Sequence, residues 1–149
     1  MFCKSLSKVL TFCILATAAA FVSCFNNDED VVPWVEVKVR INTLDAKYID
    51  LQSDNSRAVV KGEGYGGNGI IVYHTTGNIF NAFDCTCTYE VSDTCAVQPD
   101  DGNIASAVCP VCGSKFELVN CGMPTSGKAR HSLKSYRVSY SEPILRIFN

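Results

Sequence analysis

Four cysteines in two close pairs are the residues of this sequence best suited to chemistry. Cys85 and Cys87 stand in "DCTC", and Cys109 and Cys112 stand in "CPVCGS". Thiolates are ligands of zinc, iron–sulfur clusters and copper(I), and they usually reach the metal as close pairs on turns. In the second pair, the proline fixes a bend and the glycine lets the backbone curl around the sulfurs. The spacing therefore predicts one metal site between two loops.

Disulfides are the alternative role for these thiols. The chain has nine cysteines, and six of them fall in one stretch: Cys85, Cys87, Cys95, Cys109, Cys112 and Cys121. An even number in an exported protein is typical of a disulfide framework. Alternate residues on an extended strand lie too far apart for Cys85 and Cys87 to bridge each other, which leaves cross-loop disulfides open. Disulfides that staple a whole domain would be scattered along it, so the clustering favours one local site.

Strand patterns flank the cysteines on both sides. Alternating or continuous apolar residues predict strands at 34–42, 57–60, 69–74, 79–84, 115–118, 133–140 and 144–149. The segment 85–127 between them is dense in Gly, Pro, Asp and Asn, which are turn formers. The sequence contains no internal repeat and no long helical pattern. We therefore expect an all-β domain that carries a cysteine-rich insertion.

The N-terminal segment predicts export and a lipid anchor. Lys4 and Lys8 precede an apolar run that is too short to span a bilayer comfortably. The run ends in Ser23-Cys24, which resembles the cleavage site of bacterial lipoprotein precursors. We predict a signal peptide at 1–23, lipidation of Cys24 and an acidic tether at 24–32; an ordinary secretory signal cleaved near "ATAAA" is the alternative. Because the segment lacks paired arginines, we expect the chain to cross the membrane unfolded.

Charge and motifs exclude several functions. The net charge is −2 and the bases form no cluster, so we expect no nucleic-acid partner. The "GEGYGG" stretch at 62–67 matches a dinucleotide-binding pattern, but a predicted strand follows it where that site needs a helix. His74 and His131 are isolated, and the sequence has neither a nucleophile elbow nor an HExxH motif. We expect no independent catalytic activity, and hence an electron carrier or a binding protein.

Over residues 69–149 the sequence resembles Rieske iron–sulfur domains. "GIIVYHTTGNIFNAFDCTC" is similar to the first hairpin and ligand loop of that family, "CPVCGSKFEL" to the second loop, and "TSGKARHSLKSYRVSY" to the closing segment. Together with the N-terminal segment, these stretches resemble the Rieske-like lipoproteins of Gram-negative envelopes. The resemblance implies an antiparallel β-sandwich or barrel at 33–149, with a two-loop metal-binding subdomain inserted at about 84–127.

The resemblance also implies a ligand set that departs from the family. Cys85 and Cys109 occupy its two cysteine positions, whereas Cys87 and Cys112 stand where the family has histidines. Ser114 occupies the position whose hydroxyl group hydrogen-bonds the cluster. Some family members have a disulfide between the loops, but Val111 occupies one of its cysteine positions here. A different disulfide would join Cys95 to Cys121.

Replacing histidine by cysteine changes the expected chemistry. All-cysteine 2Fe-2S clusters have potentials near about −400 mV, against roughly −150 to +300 mV for Rieske centres. Quinol oxidation and electron delivery to an oxygenase iron are therefore not implied.

Three occupants of the site remain open, which are a 2Fe-2S cluster, zinc and disulfides. With a 2Fe-2S cluster, we expect an outer-membrane lipoprotein that transfers electrons at low potential to an unknown partner. The other two predict a non-redox surface interaction module whose site is structural.

Overall fold

The computed structural model describes residues 31–149, and their regular secondary structure is almost entirely β-strand. The predicted signal peptide at 1–23, the lipidation at Cys24 and most of the tether at 24–32 lie outside the described residues. Within 31–149 the only helical elements are two short 3-10 turns, Ile49–Gln52 and Tyr65–Gly67, and no helix there is long and apolar enough to cross a membrane. The all-β prediction is confirmed.

The strands form two antiparallel sheets. The ten strands are β1 Lys38–Asn42, β2 Ser56–Val60, β3 Ile70–Thr76, β4 Ile79–Asp84, β5 Gln98–Pro99, β6 Ser106–Val108, β7 Lys115–Glu117, β8 Met123–Ser126, β9 Ser135–Ser141 and β10 Ile144–Phe148. The six-stranded sheet has the order β1-β10-β9-β4-β3-β2, and the four-stranded sheet has the order β5-β6-β7-β8. The smaller sheet is formed entirely by the chain between β4 and β9. β4 therefore delivers the chain into the cysteine-rich segment, and β9 returns it to the larger sheet.

The hairpin of β3 and β4 separates two hydrophobic cores. On β3, Ile70 and Val72 pack into the core of the larger sheet, whereas Ile71 and Tyr73 pack into the core that holds the cysteines. A strand buried on both faces has a continuous apolar sequence, and this accounts for the unbroken "IIVY" run.

β4 continues the same division. Ala82 lies in the first core and Phe83 in the second, while the Asn81 side chain donates a hydrogen bond to the Leu118 carbonyl oxygen at 3.1 Å. The hairpin is thus a wall shared by both cores, and the first cysteine loop begins where this wall ends.

β1 is shorter than the predicted strand at 34–42. It begins at Lys38, because Asn149 replaces a strand partner before that point. The Val37 N–H group donates to Asn149 Oδ1 at 3.1 Å, and Asn149 Nδ2 donates to the Val35 carbonyl oxygen at 2.5 Å. The sequence pattern also did not predict β5, β6 and β8, which have only two to four residues each and so show no readable period.

Arg57 on β2 ties the two sheets together. Its Nη1 donates hydrogen bonds to the carbonyl oxygens of Asn103, Ile104 and Ser106, at 2.9, 3.1 and 2.9 Å. Its Nη2 donates to the carbonyl oxygen of Asp100 at 2.9 Å. One guanidinium group therefore holds the connection between β5 and β6 against the larger sheet.

Arg57→Ala is expected to lower the free energy of unfolding by roughly 3 kcal/mol, since it removes charge-assisted hydrogen bonds to four main-chain oxygens. Urea unfolding followed by circular dichroism measures this change. Arg137→Ala, which removes an exposed arginine from β9, is the matched control and should have little effect. Equal loss of stability in both variants would contradict a bridging role for Arg57.

Candidate metal centre

Three cysteine sulfurs converge in the second core, and a fourth lies beside one of them. The Sγ atoms of Cys87, Cys95 and Cys109 all lie within 4.8 Å of one another. Cys112 joins them, because its Sγ lies 3.6 Å from that of Cys87. Cys95 and Cys109 form the other close pair, at 3.5 Å between their Sγ atoms. The three clustered sulfurs are a candidate metal site between two loops, and Cys112 lies next to it.

The first loop is closed like a hairpin, and this brings Cys95 into the site. The Cys87 N–H group donates to the Cys95 carbonyl oxygen at 2.9 Å, and the Val97 N–H group donates to the Cys85 carbonyl oxygen at 2.6 Å. These bonds make residues eight and twelve apart in sequence direct neighbours. Cys95 is therefore a ligand candidate that the spacing along the chain did not reveal.

The second loop is a tight turn after β6. The Cys109 N–H group donates to the Ser114 carbonyl oxygen at 2.8 Å, and the Gly113 N–H group donates to the Cys109 carbonyl oxygen at 2.9 Å. Gly113 has a φ of 72°, which a residue without a side chain adopts at little cost. The turn places Cys109 and Cys112 on the same side, as the "CPVCG" sequence predicts.

Cys85, which the sequence predicted as a ligand, is not part of this group. Its N–H group still donates to the Gly69 carbonyl oxygen at 2.9 Å, so the residue continues the pairing of β4 with β3. Its sulfur is hydrogen-bonded by the backbone of Ile71. Burial, together with the negative charge of Asp84, raises the pKa of the Cys85 thiol to about 12. Cys85 is a protonated thiol packed on β3, and Cys95 takes its predicted place.

The predicted disulfide between Cys95 and Cys121 is not formed. Cys95 is a free thiol within the four-sulfur group, whereas Cys121 is disulfide-bonded. The bond between the Cys87 N–H group and the Cys95 carbonyl oxygen holds Cys95 in the site.

Ser114 hydrogen-bonds the half-exposed thiol of the site. Its Oγ accepts the N–H groups of Lys128 and Ala129, both at 2.9 Å. The Cys112 thiol donates to the same Oγ at 3.1 Å, and when this thiol ionises the hydroxyl group is the donor to the thiolate. Burial raises the pKa of the Cys112 thiol, but the hydrogen bonds from the Ser114 side chain and backbone, with those of Cys109 and Cys87, lower it to about 7.

Two of the other thiols have much higher pKa values than Cys112. Burial is the main cause that raises the pKa of Cys87 to about 12 and that of Cys95 to about 11. In the metal-free protein, Cys112 is therefore the first of these three thiols to ionise. A bound cation is what would make thiolates of the buried ones.

A buried carboxylate fixes the start of the first loop. Asp84 has no exposed surface, and its Oδ2 accepts the Tyr136 hydroxyl at 2.6 Å and the Tyr65 N–H group at 2.8 Å. Its Oδ1 accepts the Thr86 N–H group at 2.8 Å. Sequence analysis missed Asp84, because an aspartate at a strand end gives no sign of its burial.

The glycine-rich stretch at 62–67 supports the same loop. A Cβ atom at Gly66 would lie 2.7 Å from the Asp93 Cβ, so only glycine permits this approach. The neighbouring Asn68 donates from Nδ2 to Thr86 Oγ1 at 2.8 Å and to the Ser92 carbonyl oxygen at 2.7 Å. This stretch braces the first cysteine loop, and β3 follows it, so the helix that a dinucleotide site requires is not present there.

Neither histidine of the chain lies in the thiol group. His74 Nε2 lies 2.8 Å from the Gly77 carbonyl oxygen, and its ring stacks on Phe80 with 4.1 Å between centroids. His131 contributes its carbonyl oxygen as acceptor for the Thr88 hydroxyl at 2.6 Å. Within residues 31–149, the donor set of the site is therefore sulfur alone.

Ser114→Ala is expected to raise the pKa of Cys112 from about 7 toward the ordinary thiol value of 9.0, because the hydroxyl hydrogen bond to the sulfur is lost. The measurement is the pH dependence of alkylation at Cys112 in reduced, metal-free protein, read by mass spectrometry. Ser126→Ala, at an exposed position of β8, is the control. An unchanged pKa in Ser114→Ala would show that the hydroxyl group does not act on Cys112.

Comparison with known proteins gives matches only to solved structures. No protein-family model matches the sequence, and no curated protein sequence matches it. A cyanobacterial plasma membrane Rieske protein from Synechocystis is similar with a TM-score of 0.56 and 20% sequence identity, over 74% of this chain and 99% of that one.

Two further similar structures contain ferredoxins. The ferredoxin of carbazole 1,9a-dioxygenase from Nocardioides aromaticivorans matches with a TM-score of 0.47 and 17% identity, over 75% of this chain and 97% of that one. A complex of reduced oxygenase and oxidised ferredoxin in carbazole 1,9a-dioxygenase matches with a TM-score of 0.48 and 20% identity, over 76% and 94% of the two chains. The likeness to the Synechocystis protein carries the conclusion that this chain has the Rieske-type fold.

Proposed function

We propose that this protein is an electron-transfer protein of the cell envelope, with a thiolate-bound iron centre in its Rieske-type domain. The observation that carries the proposal is the convergence of Cys87, Cys95, Cys109 and Cys112 at the two loops of that fold. Thiolate ligands suit iron and support one-electron chemistry.

The position of the site suits electron transfer. Cys87, Cys95 and Cys109 are buried, at 0%, 3% and 0% exposure, whereas Cys112 is half-exposed. A centre held there is shielded from water on its inner side and reaches the surface through one ligand. The neighbouring Val111 is 62% exposed, so a partner protein finds an apolar contact beside that ligand.

The donor set favours a low potential. Four thiolates place more negative charge on the metal than two thiolates and two imidazoles do, so they stabilise the oxidised state. Without a histidine ligand, electron transfer is not coupled to protonation at an imidazole ring. Two structurally similar proteins are named as a Rieske protein and a dioxygenase ferredoxin, and this favours an electron-carrying role here, with a redox partner that we leave unidentified.

A structural metal in a non-redox surface module is the second candidate. The strands around the site are short, with two residues in β5 and three each in β6 and β7. A zinc ion that joins both loops would supply the stability that such strands lack. Export of the unfolded chain also favours an ion that binds outside the cytoplasm over a cluster assembled inside it.

Visible absorption of the full-length protein, purified without oxygen, separates the two candidates. We expect thiolate-to-iron charge-transfer bands that bleach when dithionite is added, together with iron in metal analysis. Cys112→Ser should weaken these bands, and Ser126→Ala should leave them unchanged. Colourless protein that contains zinc would replace electron transfer by the structural role. Metal-free protein without free thiols would leave disulfides as the content of the site.

We also propose that Cys24 carries a lipid that holds the protein at the outer membrane. The support is the sequence alone, namely the apolar run that ends in Ser23-Cys24 and the acidic stretch that follows it.

Cys24→Ala is expected to release the protein from the membrane fraction into the soluble fraction, because the substitution removes the thiol group to which the lipid would be attached. Fractionation of cells and immunoblotting measure the distribution. Cys13→Ala changes a cysteine inside the predicted signal peptide and should leave membrane retention intact. Retention of Cys24→Ala in the membrane fraction would reject the lipid anchor.

A further inference from the structure

We infer that the centre holds a single metal ion in a tetrahedron of Cys87, Cys95, Cys109 and Cys112 thiolates, and not a two-iron cluster. The inference deepens the proposed function by naming the nuclearity and the ligands of its centre. It rests on that proposal only in requiring a bound metal, and it holds for iron and for zinc alike.

The sulfur separations fit one ion. Metal–sulfur bonds of about 2.3 Å at tetrahedral angles place the sulfurs about 3.8 Å apart. The two close pairs have separations of 3.6 Å for Cys87 with Cys112 and 3.5 Å for Cys95 with Cys109. Both close pairs are therefore within a few tenths of an ångström of the separation around one ion, and the Cys87, Cys95 and Cys109 sulfurs already lie within 4.8 Å of one another, so Cys112 is the ligand that has to move farthest.

A two-iron cluster requires a different arrangement of sulfurs. Its four ligands divide into two pairs, one on each iron, and sulfurs on different irons lie farther apart than sulfurs on the same iron. Here Cys87 belongs to one close pair, yet its sulfur also lies within 4.8 Å of both Cys95 and Cys109. The four sulfurs do not divide into two separated pairs.

The ligands of a Rieske cluster are also not present. That cluster needs two imidazoles on one iron, and both histidines of the chain lie outside the thiol group, with His74 Nε2 at the Gly77 carbonyl oxygen. The site residues therefore do not fit the cluster that the fold family implies.

Each loop presents a preformed pair of ligands. In the first loop, the bond between the Cys87 N–H group and the Cys95 carbonyl oxygen holds these residues side by side; in the second, the Gly113 N–H group closes the turn onto Cys109. Two preformed pairs that face each other across a short gap are the usual construction of a four-cysteine mononuclear site.

Backbone N–H groups are directed at the sulfurs. Those of Tyr89 and Glu90 hydrogen-bond the Cys87 sulfur, and that of Ser114 hydrogen-bonds the Cys112 sulfur. Such donors stabilise negative charge on thiolates, and four thiolates around one divalent ion carry a net charge of −2. The loops thus supply both the ligands and the partial neutralisation of their charge.

Metal and sulfide analysis of the full-length protein tests the nuclearity. We expect one metal ion per chain and no acid-labile sulfide, with iron or zinc as the ion. Two irons and two sulfides per chain would overturn the inference while preserving electron transfer. One zinc per chain would preserve the inference while ending the electron-transfer proposal, so the two failures are distinguishable.

Titration of reduced, metal-free protein with Co²⁺ tests the ligands, since tetrahedral cobalt thiolates absorb in the visible. Wild type and Cys85→Ser should both saturate at one Co²⁺ per chain, whereas Cys95→Ser should bind at least 10-fold more weakly. Circular dichroism shows whether each variant folds. If Cys95→Ser fails to fold, Cys112→Ser, at the half-exposed ligand, takes its place with the same expectation. Loss of Co²⁺ binding in folded Cys85→Ser, its retention in Cys95→Ser, or no binding by wild type would each overturn the assignment.

Discussion

The burial of the β3–β4 hairpin on both faces is the constraint on which the rest of the structure depends. Alternating side chains of the hairpin fill two cores. Neither sheet can therefore shift without disturbing the packing of both cores. The chain leaves this hairpin at Asp84, whose buried carboxylate accepts hydrogen bonds from the Tyr136 hydroxyl and from the N–H groups of Tyr65 and Thr86. Because the exit point is fixed, the first cysteine loop starts at a defined place and in a defined direction. Arg57 does the same for the smaller sheet by holding its β5–β6 connection.

The candidate metal centre lies among the shortest strands of the fold. The short strands of the smaller sheet provide few backbone hydrogen bonds, and four thiols are gathered among them with Ser114 against Cys112. Bringing four thiolates together without a cation is unfavourable, because like charges in a poorly solvated place repel one another. A bound metal ion, as proposed, would remove that cost and join the two loops at once. Metal binding would then be coupled to the stability of this half of the domain.

The Rieske-type fold positions two loops, and the residues on those loops set the donor atoms of the centre. The strands hold the two loops facing each other, but the fold does not determine which donor atoms the loops carry. A centre held by sulfur, as proposed here, would lack proton-accepting imidazole ligands and would carry more negative charge. The closure of the first loop joins Cys87 to Cys95, and the sulfurs of these two residues lie within 4.8 Å of that of Cys109, with Cys112 beside Cys87. The physical consequence is a site suited to one ion.

The sequence by itself determined the all-β class and much of the site. Apolar runs located β3, β4, β9 and β10, because long strands with one or two buried faces leave a clear periodicity. The paired spacing identified Cys109 and Cys112, since a "CPVCG" turn folds through local bonds alone. The same reasoning placed Cys87 at the site but chose Cys85 as its neighbour, because separation along the chain was the only measure of proximity.

Tertiary structure decided the rest. Cys85 stays beside β3 because the pairing of β4 with the β3 side extends through it, and Cys95 enters the site because a hairpin closure spans the residues between it and Cys87. The bridging role of Arg57, the burial of Asp84 and the bracing by Gly66 likewise depend on contacts between distant segments. No local pattern encodes such contacts, because they exist only once the two cores have packed on either side of one hairpin.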